Sequence, residues 1–211
     1  MIHSLPDNSL NKYFTSFGKA LLLAEKFEDS CRFILQNALI LKSLQKMELD
    51  ISDLFDKNSV KGKNLRKRTI GNIAKTSGDS IVKSGILSEF VIDKLILAID
   101  SRNWLAHSAL VETAYWLGQG KDKEKLHSAI DLLRENIYNI CVGEYICGSI
   151  EIEMNDKIPF YHSDQQEYYA KGISEWVFDF KNQVKKSYNI FHKESFEKYS
   201  LKFKPKPPTS K

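Results

Sequence analysis

Turn-forming residues are scarce in this chain. Five Pro and ten Gly among 211 residues are too few for a loop-rich all-β fold. Cysteine is scarcer: Cys31, Cys141 and Cys147 form an odd set with no framework spacing. That excludes a disulfide scaffold and reads as three reduced core thiols in a cytoplasmic protein. Long apolar runs are missing; clean stretches such as Ala20-Leu21-Leu22-Leu23-Ala24 are far too short to span a bilayer. The opening residues, Met1 to Asp7, have no basic segment followed by an apolar one, so no signal peptide is expected. The histidines have no partners at metal-ligand spacing, and no Gly-rich loop joins a strand to a helix. Neither a structural metal, nor a P-loop or Rossmann nucleotide site, nor any cofactor is expected.

What is present is helical. Leu10, Phe17, Ala24, Cys31 and Ala38 recur every seven residues, with Phe14, Leu21 and Leu35 as a second row. This predicts an amphipathic helix of roughly ten turns from about Asn8 to Met47. Residues 49–64 read as a loop with one turn around Ile51, Leu54 and Phe55. A shorter helix is predicted from Leu65 to Lys75, ended by Thr76-Ser77-Gly78-Asp79. Ser88-Glu89 starts the next helix, with Phe90, Val91, Leu95, Ile99, Leu105 and Ala106 inward. Leu117 to Lys121 is a turn. A fourth long helix runs from about Lys123 to Ile150, its stripe including Leu126, Ile130, Leu133, Ile137, Ile140, Cys141, Tyr145 and Gly148. Beyond Asp156 aromatics increase and one or two helices are expected between Gln165 and Tyr199. The predicted organisation is an all-α helical bundle over 1–155, a helical extension over 156–200 and a disordered basic tail over 201–211.

Net charge is only +4, but it is unevenly distributed. Lys57 to Arg68 holds six basic residues and no acid, and Lys181 to Lys211 holds nine Lys against two Glu. Such clusters attract phosphate backbones, and equally serve as solvated surface. Lys63, Arg66 and Arg68 are the substrate-contact candidates of the first cluster. Tyr168, Tyr169, Trp176, Phe178 and Phe180 could stack bases, though packing in a satellite core or a dimer contact is the commoner use. His127, early in the fourth helix, reads as a surface residue.

The segment richest in chemistry is Ser101-Arg102-Asn103-Trp104-Leu105-Ala106-His107. Residues four apart on a helix lie about 40° apart in azimuth, so Asn103 and His107 share a face. Arg102 sits one step round, and its long side chain can swing toward that face. Asp100 could hold Arg102 in place or be an ordinary surface acid. The imidazole is a proton acceptor or donor near neutral pH. The guanidinium offers planar donors to a phosphate and stabilises charge in a phosphorane-like transition state. RNA carries its own nucleophile, the 2′-hydroxyl, so a base, an acid and a cation suffice. One His does not easily serve as base and acid in one step. A symmetric dimer bringing two copies of His107 to one cleft would supply both.

Arg102-Asn103-Trp104-Leu105-Ala106-His107 resembles the signature of the HEPN superfamily (higher eukaryotes and prokaryotes nucleotide-binding domains), an Arg and a polar residue followed by a His, here with four residues between Arg and His. The helical order over residues 8 to 152 is similar to the HEPN four-helix up-and-down bundle. The resemblance implies a metal-independent endoribonuclease of a toxin–antitoxin or antiviral defence system. It further implies a homodimer with a composite cleft, an RNA substrate, and a possible cognate antitoxin or regulatory partner. Carried over by position, Arg102 would contact the scissile phosphate, Asn103 would orient substrate or His107, and His107 would be the general base or acid. The expected products carry a 2′,3′-cyclic phosphate and a 5′-hydroxyl. The alternatives are a non-catalytic module that binds nucleotide, RNA or a partner, and a purely structural helical protein.

Overall fold

The computed structural model describes residues 7–56, 58–118, 123–156 and 163–178, and these form eight helices with no strand among the described residues. They are α1 (Asp7–Gln45), α2 (Ile51–Phe55), α3 (Val60–Lys67), α4 (Ile70–Lys83), α5 (Glu89–His107), α6 (Ala109–Gly118), α7 (Lys123–Asp156) and α8 (Ser163–Phe178). The fold is all-α, as its composition predicts, and no helix of the described residues is long and apolar enough to cross a membrane. The expected tail over 201–211, His3, His162, His192, Phe160, Tyr161 and Phe180 lie outside the described residues, as do the side chains of Leu10, Arg66 and Leu126.

Helix α1 is held by a stripe with alternating steps of four and three. Tyr13, Phe17, Ala20, Ala24, Phe27, Cys31, Ile34 and Ala38 are all buried. The first predicted row is therefore in the core wherever it is described. The second is only partly so: Leu35 is fully buried, but Phe14 and Leu21 are 46% and 38% exposed, and their buried companions, Tyr13 and Ala20, lie one residue earlier. Helix α1 ends with Met47 in the left-handed region (φ 55). The Met47 N–H donates to the Leu44 carbonyl at 3.0 Å and the Glu48 N–H to the Ser43 carbonyl at 2.9 Å. This paired closure satisfies carbonyls the last turn would otherwise leave open, and it usually carries Gly where Met47 stands.

Side-chain caps mark the starts that follow. Asp50 and Asp53 form a capping box on α2, Ser59 caps α3, Thr69 caps α4, and Ser88 caps α5. The turn predicted around Ile51, Leu54 and Phe55 is the one-turn helix α2, but the loop predicted after it gives way to helix α3 from Val60. The next helix is shifted from the predicted 65–75 to 70–83, so Thr76-Ser77-Gly78-Asp79 lies inside it. Ser77 and Gly78 are buried. A Cβ on Gly78 would come to 2.8 Å from Ile92 Cγ2. The glycine here permits α4 to approach α5 rather than making a turn, and packing overrides local propensity.

The long helices α1, α4, α5 and α7 contact one another in a closed ring: α1 touches α4 and α7, and α5 touches α4 and α7. Leu35, Ile73, Ile81, Leu95, Ile99, Leu133, Ile137, Ile140 and Ile146 fill the centre. The helices come close at Gly143 of α7, where a Cβ would fall 2.5 Å from Ala98 Cβ and 2.6 Å from the Phe27 ring. Helix α8 packs on α7 and α1 and adds Ala170 and Val177 to the same core. Tyr169, Trp176 and Phe178 pack against that core, whereas Tyr168 is 60% exposed. Glu144 is buried where α1, α7 and α8 meet; it pairs with Lys26 and accepts the Tyr169 hydroxyl.

Candidate functional site

Helix α5 carries the motif in its last two turns and ends at His107 rather than continuing through it. Ser108 closes it, its N–H donating to the Trp104 carbonyl at 2.8 Å, and α6 begins at Ala109. The break is braced by Trp104, whose indole N–H donates to Glu112 of α6 at 3.1 Å. Two sequence expectations for this helix change. Phe90, in its first turn, is 48% exposed beneath the Lys94 ammonium, and Ala106 is exposed.

Successive motif residues turn to different neighbours, as a 100° step per residue requires. Ser101 is buried and accepts from the Asn139 amide of α7 at 3.1 Å. Leu105 is buried in the core. Arg102 points to α1, where its guanidinium forms an ion pair with Glu28. It also donates to the neighbouring Asn103 amide oxygen at 3.1 Å. The Arg102 and Glu28 side chains are about one-fifth exposed. Asp100 does not hold Arg102; it pairs with Lys75 of α4 at 2.5 Å.

Glu28 is shared. Its second oxygen accepts from Arg32, one turn further along α1, at 2.6 Å. Two guanidinium groups and one carboxylate thus meet beside the motif, with a net charge of one positive. Neither Glu28 nor Arg32 was expected from sequence. Glu28 occupies the row of α1 assigned to Phe14, Leu21 and Leu35, and the partner of Arg102 is 74 positions away, which no local pattern reveals.

His107 is exposed at the end of α5 and has no hydrogen-bond or ion-pair partner among the described residues. It lies five helical steps from Arg102, about 7.5 Å along the axis and about 140° around it. The structure therefore brings Arg102 and Asn103 together, adds Glu28 and Arg32, and leaves His107 on a different side of the helix. His107 shares its face with Asn103 instead.

Lys63 and Arg68 are exposed, and Arg68 donates to Ser77 Oγ at 3.3 Å. Neither makes a hydrogen bond or ion pair with Arg102, Asn103 or His107 among the described residues. His127 is exposed. No group of three or more His, Cys, Asp or Glu suited to a metal occurs among the described residues. The three thiols are free and buried. Burial, assisted by the negative charge of Glu144, raises the Cys141 thiol well above its ordinary pKa. Contact with Cys31, followed by burial, does the same for Cys147. Neither is poised as a nucleophile.

Protein-family models, curated proteins and solved structures yield no match to this chain.

Proposed function

We propose that the chain is a HEPN-type, metal-independent endoribonuclease of a toxin or antiviral defence system, working as a homodimer. The observation that carries this reading is the partly buried Arg102–Asn103 pair, braced from α1, with a solvent-facing His107 on the Asn103 face of the same helix end. The resemblance of Arg102-Asn103-Trp104-Leu105-Ala106-His107 to the HEPN signature supplies the reaction class.

In this reading Arg102 binds a non-bridging oxygen of the scissile phosphate and stabilises charge as it builds on phosphorus. An imidazole takes the proton of the ribose 2′-hydroxyl. The 2′-oxygen bonds to phosphorus, the bond from phosphorus to the 5′-oxygen breaks, and the leaving oxygen takes a proton from a second imidazole. The products are a 2′,3′-cyclic phosphate and a 5′-hydroxyl. The separation of His107 from Arg102 around α5 favours a cleft completed by a second copy, whose His107 would supply the second proton transfer. Lys63, Arg66 and Arg68 then extend the path of the RNA backbone.

A second reading, a HEPN-like module that binds RNA, nucleotide or a partner without cleaving, is favoured by one feature. Arg102 already holds an anion within its own chain, as a ligand-binding arginine at rest would.

The deciding experiment is cleavage of single-stranded RNA in EDTA by the full chain, beside His107→Ala, with product ends identified. EDTA-resistant cleavage to cyclic phosphate ends, lost in His107→Ala, is the expected result. Equal cleavage by both proteins refutes the enzyme reading. RNA binding by the folded protein without cleavage establishes the second.

A further inference from the structure

The Arg32–Glu28–Arg102 cluster joins Arg102 to two residues outside the sequence motif, and two basic residues sharing one acid are more than an ion pair requires. Each oxygen of the Glu28 carboxylate takes one guanidinium, Arg32 on Oε1 and Arg102 on Oε2. A carboxylate and a phosphodiester both present two oxygens on one central atom, and planar guanidinium groups recognise either. The spacing that lets Arg32 and Arg102 bridge Glu28 is therefore close to the spacing that would let them bridge one phosphate.

Donors remain for such a ligand. A guanidinium has five N–H groups. Arg102 uses some on Glu28 and Asn103, and Arg32 uses at least one on Glu28. Access also remains: the Arg32 side chain is 41% exposed. Helical spacing puts Glu28 and Arg32 on one face of α1, and the contact with Arg102 faces that side toward the motif.

We propose that Arg32 is a second phosphate-binding residue, gripping the same RNA phosphate as Arg102, and that Glu28 is a positioning residue setting the gap between them. This rests on the reading of the site as an RNA phosphate site.

The test is binding of a short, fluorescently labelled, fully 2′-O-methylated RNA, which has no free 2′-hydroxyl to attack phosphorus. Anisotropy titrations across a salt series would compare the full-length wild type with Arg32→Ala, Arg32→Lys, Arg102→Ala and, as a matched control, Lys46→Ala. Lys46 is exposed and about 20 Å further along from Arg32. Arg32→Ala and Arg102→Ala are each expected to weaken binding about ten-fold. Each should also reduce the slope of log affinity against log salt by about 0.7, one phosphate contact on a single strand. Arg32→Lys keeps the charge and most of the slope but loses several-fold in affinity, because an ammonium lacks the planar fork. Lys46→Ala leaves the slope as in wild type.

A merely structural role for Arg32 would alter thermal stability and leave the slope untouched. If Arg102→Ala weakens binding while Arg32→Ala keeps wild-type affinity and slope, the role given to Arg32 is overturned and the RNA reading survives. If Lys46→Ala costs as much slope as Arg32→Ala, attraction is diffuse and the paired grip is overturned. If wild type does not bind the RNA, or Arg102→Ala binds as well as wild type, both readings fall.

Discussion

Substituting Gly143 by Ala sets two effects of known sign against each other. In an exposed helix interior Gly→Ala stabilises by about 1 kcal/mol, because alanine has less backbone entropy to lose. At Gly143 the added methyl would lie 2.5 Å from Ala98 Cβ and 2.6 Å and 3.1 Å from two carbons of the Phe27 ring. Real carbon contacts optimise near 3.5–4.0 Å, so α7 would have to move away from α5 and α1 by about 1 Å. Ala98 has no side-chain torsion with which to yield, and Phe27 is fully buried. Overpacking of this kind costs about 3 kcal/mol. The net expectation is a loss of about 2 kcal/mol, a fall in Tm of roughly 4–8 °C for a chain of this size. Gly18→Ala is the control: Gly18 is exposed on α1 with nothing within 4 Å of the new atom, so propensity acts alone and stability rises. Urea unfolding of the two variants, followed by helical circular dichroism, reads both signs. A Gly143→Ala protein as stable as wild type, or more so, would refute the close three-helix approach.

Other perturbations test other parts of the fold. Tyr169→Phe removes a hydrogen bond to the buried Glu144 and should cost about 2 kcal/mol in urea unfolding, since a bond to a charged acceptor is at stake. Met47→Gly relieves a left-handed residue at the α1 C-terminus and should raise unfolding free energy by about 1 kcal/mol. Glu28→Gln leaves Arg32 and Arg102 without their shared anion; Tm should fall, and inorganic phosphate should restore more of it than it adds to wild type. Alkaline pH should destabilise the native state through its buried thiols. The native pKa values of Cys141 and Cys147 are raised, so the unfolded chain ionises first at these two, and stability that is complete below about pH 8.5 is lost as pH rises. Each thiol contributes about 1.4 kcal/mol per pH unit between its two pKa values. Urea midpoints above pH 9 should show this, with a shallower decline in Cys141→Ala.

Much of the helical layout was legible because long amphipathic helices repeat a simple pattern. Phe17, Ala24, Cys31 and Ala38 of α1 are buried, and the starts near Ser88 and Lys123 agree with the helices observed. Phe14 and Leu21 misled because they are more apolar than Tyr13 and Ala20, their neighbours on the buried side. Thr76-Ser77-Gly78-Asp79 misled because turn-forming residues on a helix are tolerated where a small side chain permits close packing. The site was legible only in its contiguous part. Arg102, Asn103 and His107 stand out as polar residues in an apolar segment, and Arg102–Asn103 contact is observed. That Arg102 turns to Glu28, and Asp100 to Lys75, depends on how α5 sits against α1 and α4. That docking is a property of the assembled core, not of six consecutive residues.

The distance along the chain between Glu28 and Arg102 also bears on synthesis. As the polypeptide leaves a ribosome, α1 and α5 emerge before α7, yet both pack on α7. A nascent chain that has not yet released α7 lacks the helix whose Gly143 lies against Ala98 and Phe27, and so lacks part of the core behind the guanidinium pair. Domains of this kind fold as units. The packing behind the cluster around Arg102 is therefore complete only once α7 has emerged, and products truncated before α7 would carry the motif without that support.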